Sequence, residues 1–272
     1  MSTEEVSYPN YRGKHAHEAF FAPSDFLAYL RQTGGLDLST APEGIILCYQ
    51  RRLLNHVLDV EGLDPDHPPR TYRGLVTLRA TDHRVGVVGG FGIGAPVAAV
   101  LLEELVAQGT RRFISIGTAG SLQRSCPVGH TIVCERAVRD EGVSHHYLPP
   151  GKFAFAAPGL TSSLIRQLHS REVEHAVGSS WTIDTPYRET VEELRHYQAD
   201  GVLCVEMEAA ALFAVAAYRN VDVAAGFVVS DSLAELVWDP QFHAPETLDA
   251  LIRLYDASVA TLMVDSSNET AS

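Results

Sequence analysis

The chain has 272 residues, 46% of them hydrophobic, and its 34 acidic against 21 basic side chains give a formal charge of −13. That is apolar matter enough for one large α/β domain, and a strong acidic balance without a basic stripe argues against a nucleic-acid backbone as partner. No apolar run reaches the length of a membrane span, and the start MSTEEVSYPN lacks a signal-peptide core. The four cysteines, Cys48, Cys126, Cys134 and Cys204, show no Cys-x-x-Cys spacing, as expected of free thiols in a cytoplasmic protein.

Residues 1–22 are polar and broken by Pro9 and Gly13, which predicts an arm holding His15 and His17. A helix follows, with Ser24 as N-cap and Gly34-Gly35 as stop. Gly44 to Tyr49 reads as the first strand. It leads into Gln50-Arg51-Arg52 and a helical stretch, and two arginines at a strand's carboxyl end suit an anion. Tyr72-Arg73-Gly74, a solvated turn on the residues alone, precedes a strand over Leu75 to Leu78.

Val85 to Gly89 is the next strand, and Gly90-Phe-Gly92-Ile-Gly94-Ala95 turns it into a helix. Pro96 takes the first helical position, and Val97, Val100, Leu101 and Leu105 are expected on the apolar face. The loop is formally a dinucleotide fingerprint, but that fold needs an acidic residue closing the second strand. Here the second strand, Phe113 to Gly117, runs into Thr118-Ala-Gly120-Ser121. The dinucleotide reading fails, and the glycines read instead as a cradle of backbone amides for an anion.

Val128 to Glu135 predicts a further strand. Adjacent His145 and His146 would face opposite sides of an extended chain, so no metal is expected. Pro149-Pro150-Gly151 is a turn, and Leu160 to His169 an amphipathic helix capped by Thr161 or Ser162. Trp181 to Glu189 reads as a polar aromatic loop before a helix starting near Thr190. Pro245 to Met263 is the last helix, and 265–272 are expected to be disordered. With no repeat and no linker, one domain is expected over 1–272.

The stretch from Gly201 to Ser232 organises the rest. Val202 to Val205 is a short buried strand, Glu208 to Tyr218 an Ala-rich helix stopped at Asn220, and Val223 to Val229 a second strand. The pattern predicts a parallel pair with a right-handed crossover. Its polar residues gather after the first strand, at Glu206 and Glu208 around Met207, and after the second, at Ser230-Asp231-Ser232. Ligands bind outside the carboxyl ends of strands in such sheets. Acidic residues there also simply favour a helix N-terminus. That does not account for Asp231, a charge following a wholly apolar run.

Val205-Glu206-Met207-Glu208-Ala209-Ala210, followed in order by Val229-Ser230-Asp231, resembles the nucleoside phosphorylase superfamily of hexameric purine nucleoside and uridine phosphorylases. The resemblance covers most of residues 44 to 232. It implies a single-domain α/β fold, three layers α/β/α around a mixed, mostly parallel sheet. It also implies a pentosyltransferase that cleaves the N-glycosidic bond of a nucleoside with phosphate, with no cofactor beyond that co-substrate, and a homo-oligomer between dimer and hexamer.

Residue by residue, the resemblance implies that Glu208 accepts hydrogen bonds from the ribose hydroxyls while Met207 packs on the sugar, with Glu206 and Ser230 beside them. Tyr187 is expected to stack on the base and Asp231 to protonate purine N7, while Arg188 either contacts a base carbonyl or pairs with Glu189 or Glu192. A free Asp titrates near ~3.9, so burial or the bound base must hold that proton at neutral pH. His15 is expected to reach the sugar of a neighbouring subunit's site, and Arg73 its phosphate. Gly92, Thr118 and either Arg51 or Arg52 are the expected phosphate ligands within the chain.

Two departures stand out. Ser115 replaces a phosphate-binding arginine, removing the side chain best suited to bidentate phosphate contact. Around Trp238 to Ala244 the arginine that assists the aspartate in the resembled purine enzymes is absent, so either acid catalysis is weaker or His243 substitutes. Asp231 favours a purine. The alternatives are a uridine phosphorylase, a nucleosidase using water, or a nucleoside-binding protein without turnover.

Overall fold

The computed structural model describes residues 8, 9, 11, 13–34, 41–67 and 71–264. Parts of the expected arm and the tail over 265–272 lie outside them. The apolar runs form strands β1 (Gly44–Cys48), β2 (Val76–Thr77), β3 (Val85–Gly89), β4 (Arg112–Ser121), β5 (Thr131–Asp140) and β6 (Phe153–Phe155). β7 (His175–Ile183), β8 (Cys204–Glu206), β9 (Asp222–Ser232) and β10 (Asp239–Pro240) complete them. The helices are α1 (Pro23–Thr33), α2 (Arg51–Val60), α3 (Ala95–Gln108), α4 (Pro158–Ser170), α5 (Val191–Ala199), α6 (Ala209–Arg219) and α7 (Pro245–Met263).

All strands join one mixed sheet whose longer pairings, β1–β3, β1–β4, β4–β9 and β5–β7, are parallel. β4 pairs with both β8 and β9, β9 with β5, β5 with β7 and β7 with β8, so these five strands close a ring. β1, β3 and β2 extend the sheet from its β4 side. Successive residues of a strand face opposite sides. In β1, Ile45 and Leu47 enter a core with Leu27 of α1, Leu102 of α3 and Phe213 of α6. Ile46 and Cys48 enter the other, with Leu53 of α2, Leu164 of α4 and Leu254 of α7. A strand buried on both faces reads as a continuous apolar run, and the three-layer α/β/α arrangement follows. A smaller cluster around Trp181, Leu194 and Leu233 fills the closed end.

Several local expectations are corrected. α1 starts at Pro23, and Asp25, not Ser24, accepts the Ala22 N–H at 2.8 Å. α4 likewise starts at Pro158, ahead of Thr161 and Ser162. Val97 and Val100 are exposed; Leu101 and Leu105 are buried as expected, with Ala98 and Leu102 taking the place of the two valines. Trp181 to Ile183 belong to β7 rather than a loop. The parallel crossover pair does not form either. β8 runs antiparallel to β4 and β9 parallel to it, with β4 between them. The pattern of elements gave their order along the chain, but ring closure decides which edges meet. Among the described residues no helix is long and apolar enough to cross a membrane, and all four cysteines are free and buried.

Candidate active site

The β4 strand brings the two acidic segments together at one residue. Gly120 pairs with Val205 on one side and with Asp231 on the other, so β8 and β9 pass the same residue in opposite directions. A Cβ on Gly120 would stand 3.2 Å from an Asp231 carboxyl oxygen, 3.2 Å from Val205 and 2.6 Å from Leu233. Close approach demands glycine here.

Glu206 and Glu208 do different work. Glu206 is buried, and its Oε2 accepts the N–H groups of Glu208 and Ala209 at 2.8 and 2.7 Å, so it closes the open end of α6. Its Oε1 accepts the Ser180 hydroxyl at 3.1 Å and the Thr182 hydroxyl. Burial still pushes its carboxyl above the usual range against these four donors. Glu208, only 8% exposed, accepts from the Gly94 N–H of the glycine loop, with the Met207 backbone as a second donor. Burial first, and then the Glu206 charge, push it up to about 8. The glycine loop thus serves partly to hold a carboxyl: Gly90, Gly92 and Gly94 all take positive φ, which leaves glycine the fitting residue at each. Met207 stands half-buried between the two acids.

At the other end, Asp231 is 8% exposed and both its oxygens accept: Oδ1 from the Ser230 hydroxyl at 2.8 Å, Oδ2 from the Trp238 indole at 3.0 Å. Trp238 therefore occupies the supporting place expected of His243. The His243 carbonyl accepts from Arg52 at 3.3 Å instead. Glu189, half-buried, is pushed up to about 7 by burial and then by the Asp231 charge. Tyr187 and Arg188, on the turn just before it, are exposed, Tyr187 at 99%.

The expected anion ligands are partly gathered. Gln50 donates its side-chain amide to Thr118 at 2.7 Å, joining the ends of β1 and β4. Arg51 and Arg52 open α2 and are exposed, as is Gly92. Ser115 is fully buried inside β4, where a guanidinium would have no water. Tyr49, between Gly117 and the Phe91 ring at 5.0 Å, fills the space beside it.

His15 and Arg73 lie away from these carboxylates. Arg73 donates to Glu104 of α3 at 2.9 Å through two nitrogens. Glu104, His15, Phe20, Phe21, Val100 and Tyr218 line one groove of about 870 Å³. His145 and His146 sit in a turn against the Tyr8 ring. The roles of Gly120, Thr182, Ser180, Trp238, Glu189 and Tyr49 escape sequence reasoning. Each depends on a strand pairing or a loop closure with no local signature, although a Trp placed where an arginine was missed is a signal in hindsight.

The family profile described as the phosphorylase superfamily matches residues 51–260. The chain belongs to that superfamily. It is 30% identical over 166 residues to the uridine phosphorylase of Haemophilus influenzae, covering 55% of this chain and 66% of that one. It is 32% identical over 151 residues to the DeoD-type purine nucleoside phosphorylase of Caldanaerobacter subterraneus, covering 54% and 64%. The match thus spans just under two thirds of these relatives' lengths. Among solved structures, the uridine phosphorylase of Vibrio fischeri superposes with a TM-score of 0.64 at 25% identity, covering 84% of this chain and 93% of that one. The Toxoplasma gondii purine nucleoside phosphorylase shares the fold, with a TM-score of 0.71 at 19% identity, covering 84% of this chain and 94% of that one. Phosphorylases named for purine and for uridine both stand among the relatives of this superfamily member.

Proposed function

We propose that the protein is a nucleoside phosphorylase, a pentosyltransferase that converts a nucleoside and phosphate to free base and (deoxy)ribose 1-phosphate, with purines favoured. The observation that carries this reading is the register that sets Val205, next to Glu206, and Asp231 on either side of Gly120. In this reading the Glu208 carboxyl accepts from the sugar hydroxyls and the Asp231 carboxyl gives its proton to the base. As the bond from the sugar carbon to the base nitrogen breaks, its electron pair goes to the base, N7 takes the Asp231 proton, and a phosphate oxygen bonds to the sugar carbon. Each Asp231 oxygen accepts one hydrogen bond and keeps a second acceptor site, so a base can meet the carboxyl beside Ser230 and Trp238. Glu206, its oxygens taken up by protein donors, positions the head of α6 rather than touching the sugar.

Thr118, Gly92 and the exposed Arg51 and Arg52 are the chain's own phosphate ligands in this reading, and no other cofactor is invoked. Tyr187 and Arg188 stand at the rim as base contacts, with Met207 and Ser230 deeper. His15 lines the groove against α3, and Arg73 pairs with Glu104, which lines it too; this supports a homo-oligomer joined through that face. The four unpaired cysteines support a reducing, cytoplasmic setting.

A second reading, hydrolysis by water, is favoured by Ser115, which leaves neutral donors next to Thr118. A nucleoside panel assayed with and without phosphate separates the two. Phosphorylated sugar formed only with phosphate supports phosphorolysis. Free ribose released at the same rate without it would replace phosphorolysis with hydrolysis, and preference for uridine would overturn the purine assignment.

A further inference from the structure

Buried hydroxyls in folded proteins almost always have a partner, and an exception calls for an explanation. The Tyr49 hydroxyl is such an exception beside the carboxylates. It is buried and makes no well-formed hydrogen bond among the described residues, although it faces Ser115 and feels the charge of Glu208. Its ring is held by the edge of Phe91 at 5.0 Å and an interplanar angle of 72°. On the other side its Cδ2 is 3.4 Å from where Gly117 would carry a Cβ. Its backbone N–H donates to Ile116 at 3.4 Å, which fixes it at the carboxyl end of β1, next to the Gln50–Thr118 bond.

A phenylalanine would satisfy every one of these packing contacts. A hydroxyl buried there costs free energy until something accepts from it. Burial, and then the Glu208 charge, push the phenol well above its ordinary range, so it stays a proton donor at any working pH. The Glu206 charge acts on it in the same direction.

We propose that Tyr49 is a further substrate-contacting residue, whose hydroxyl donates a hydrogen bond to an oxygen of the phosphate bound between Thr118 and Glu208. The inference rests on the phosphorylase reading above. It gives the pocket a neutral donor beside Ser115, the position from which a guanidinium is missing.

Tyr49→Phe tests it, because the change keeps the ring and removes only the unpartnered hydroxyl. Phosphate binding is measured by titration calorimetry, and the Michaelis constants for phosphate and nucleoside are measured separately. The expected result is a loss of phosphate affinity of about tenfold, with melting temperature unchanged or raised, since no protein partner is lost. Equal phosphate affinity in wild type and variant overturns the proposal alone. A wild type that binds no phosphate overturns the phosphorylase reading and this contact with it. A phosphate-bound crystal structure provides a check independent of any variant: a Tyr49 hydroxyl beyond about 3.5 Å of the anion refutes the contact.

Discussion

Replacing Glu208 with Gln separates the charge of the site from its shape. In the wild type, burial and the neighbouring Glu206 push the Glu208 carboxyl from an ordinary 4.5 to about 8. A carboxyl raised in this way binds its proton more tightly in the folded protein than in the unfolded chain. Its contribution is therefore complete at low pH and is lost as pH rises from the ordinary value through about 8. Each pH unit in that window costs about 1.4 kcal/mol, so the whole loss is on the order of 5 kcal/mol. Glu206 is raised too, so the proton belongs to the pair and the measured midpoint is a property of both. Gln cannot titrate, and its stability should change far less over the same range. Urea melts of both proteins between about pH 5 and pH 9 read the difference directly. The same charge governs activity: sugar hydroxyls donate best to the ionised form, so wild-type kcat/KM should rise with pH towards about 8 while Glu208→Gln stays low. Stability curves that run parallel across the range would refute the claim that this carboxyl is buried protonated.

Asp231→Asn should cost purine turnover about 10²- to 10⁴-fold while leaving the fold intact, because an amide can still accept from Trp238 and donate to Ser230. A nitrophenyl riboside, whose leaving group needs no proton, should rescue this variant and not Glu208→Gln; full purine activity in Asp231→Asn would end the acid assignment. Gly120→Ala should lower stability by about 1–3 kcal/mol and turnover with it, since Leu233 can turn away but Val205 and the doubly held Asp231 cannot; a variant with wild-type melting and rate would show that the crossing is slack. Light scattering should report an oligomer at assay concentration, with Val100→Glu in the α3 groove shifting it towards monomer; an active wild-type monomer would remove the cross-subunit roles of His15 and Arg73.

The layered fold was legible because burial on both faces leaves a strand with an unbroken apolar run, as in Ile45 to Cys48, and such runs need no partner to be recognised. Pairing was not legible. The Val202 to Val229 pattern reads as a parallel crossover pair, and only the closing of β4, β9, β5, β7 and β8 into a ring puts β4 between its two strands. Helix starts were misplaced where proline did the work. Pro23 and Pro158 open α1 and α4 with a fixed φ and no N–H to satisfy, so the Ser and Thr residues behind them were not needed as caps.

The site shows the same limit at the scale of single side chains. Glu206 and Glu208 are the same residue type, one Met apart, and nothing local distinguishes them. In the folded chain β8 lies in register with β7, Glu206 opposite Thr182, and that pairing supplies the hydroxyls that take one of its oxygens while α6 takes the other. Glu208, two residues further and past the strand, meets only backbone donors, the Gly94 amide and its neighbour Met207. The first acid is consumed in building the helix end. The second is left buried, under-paired and raised in pKa, which is the condition in which a carboxyl is available to a ligand. Both alternatives open to the Glu-x-Glu pair from sequence, helix electrostatics and sugar binding, therefore hold, one for each residue, and a strand register decides which is which.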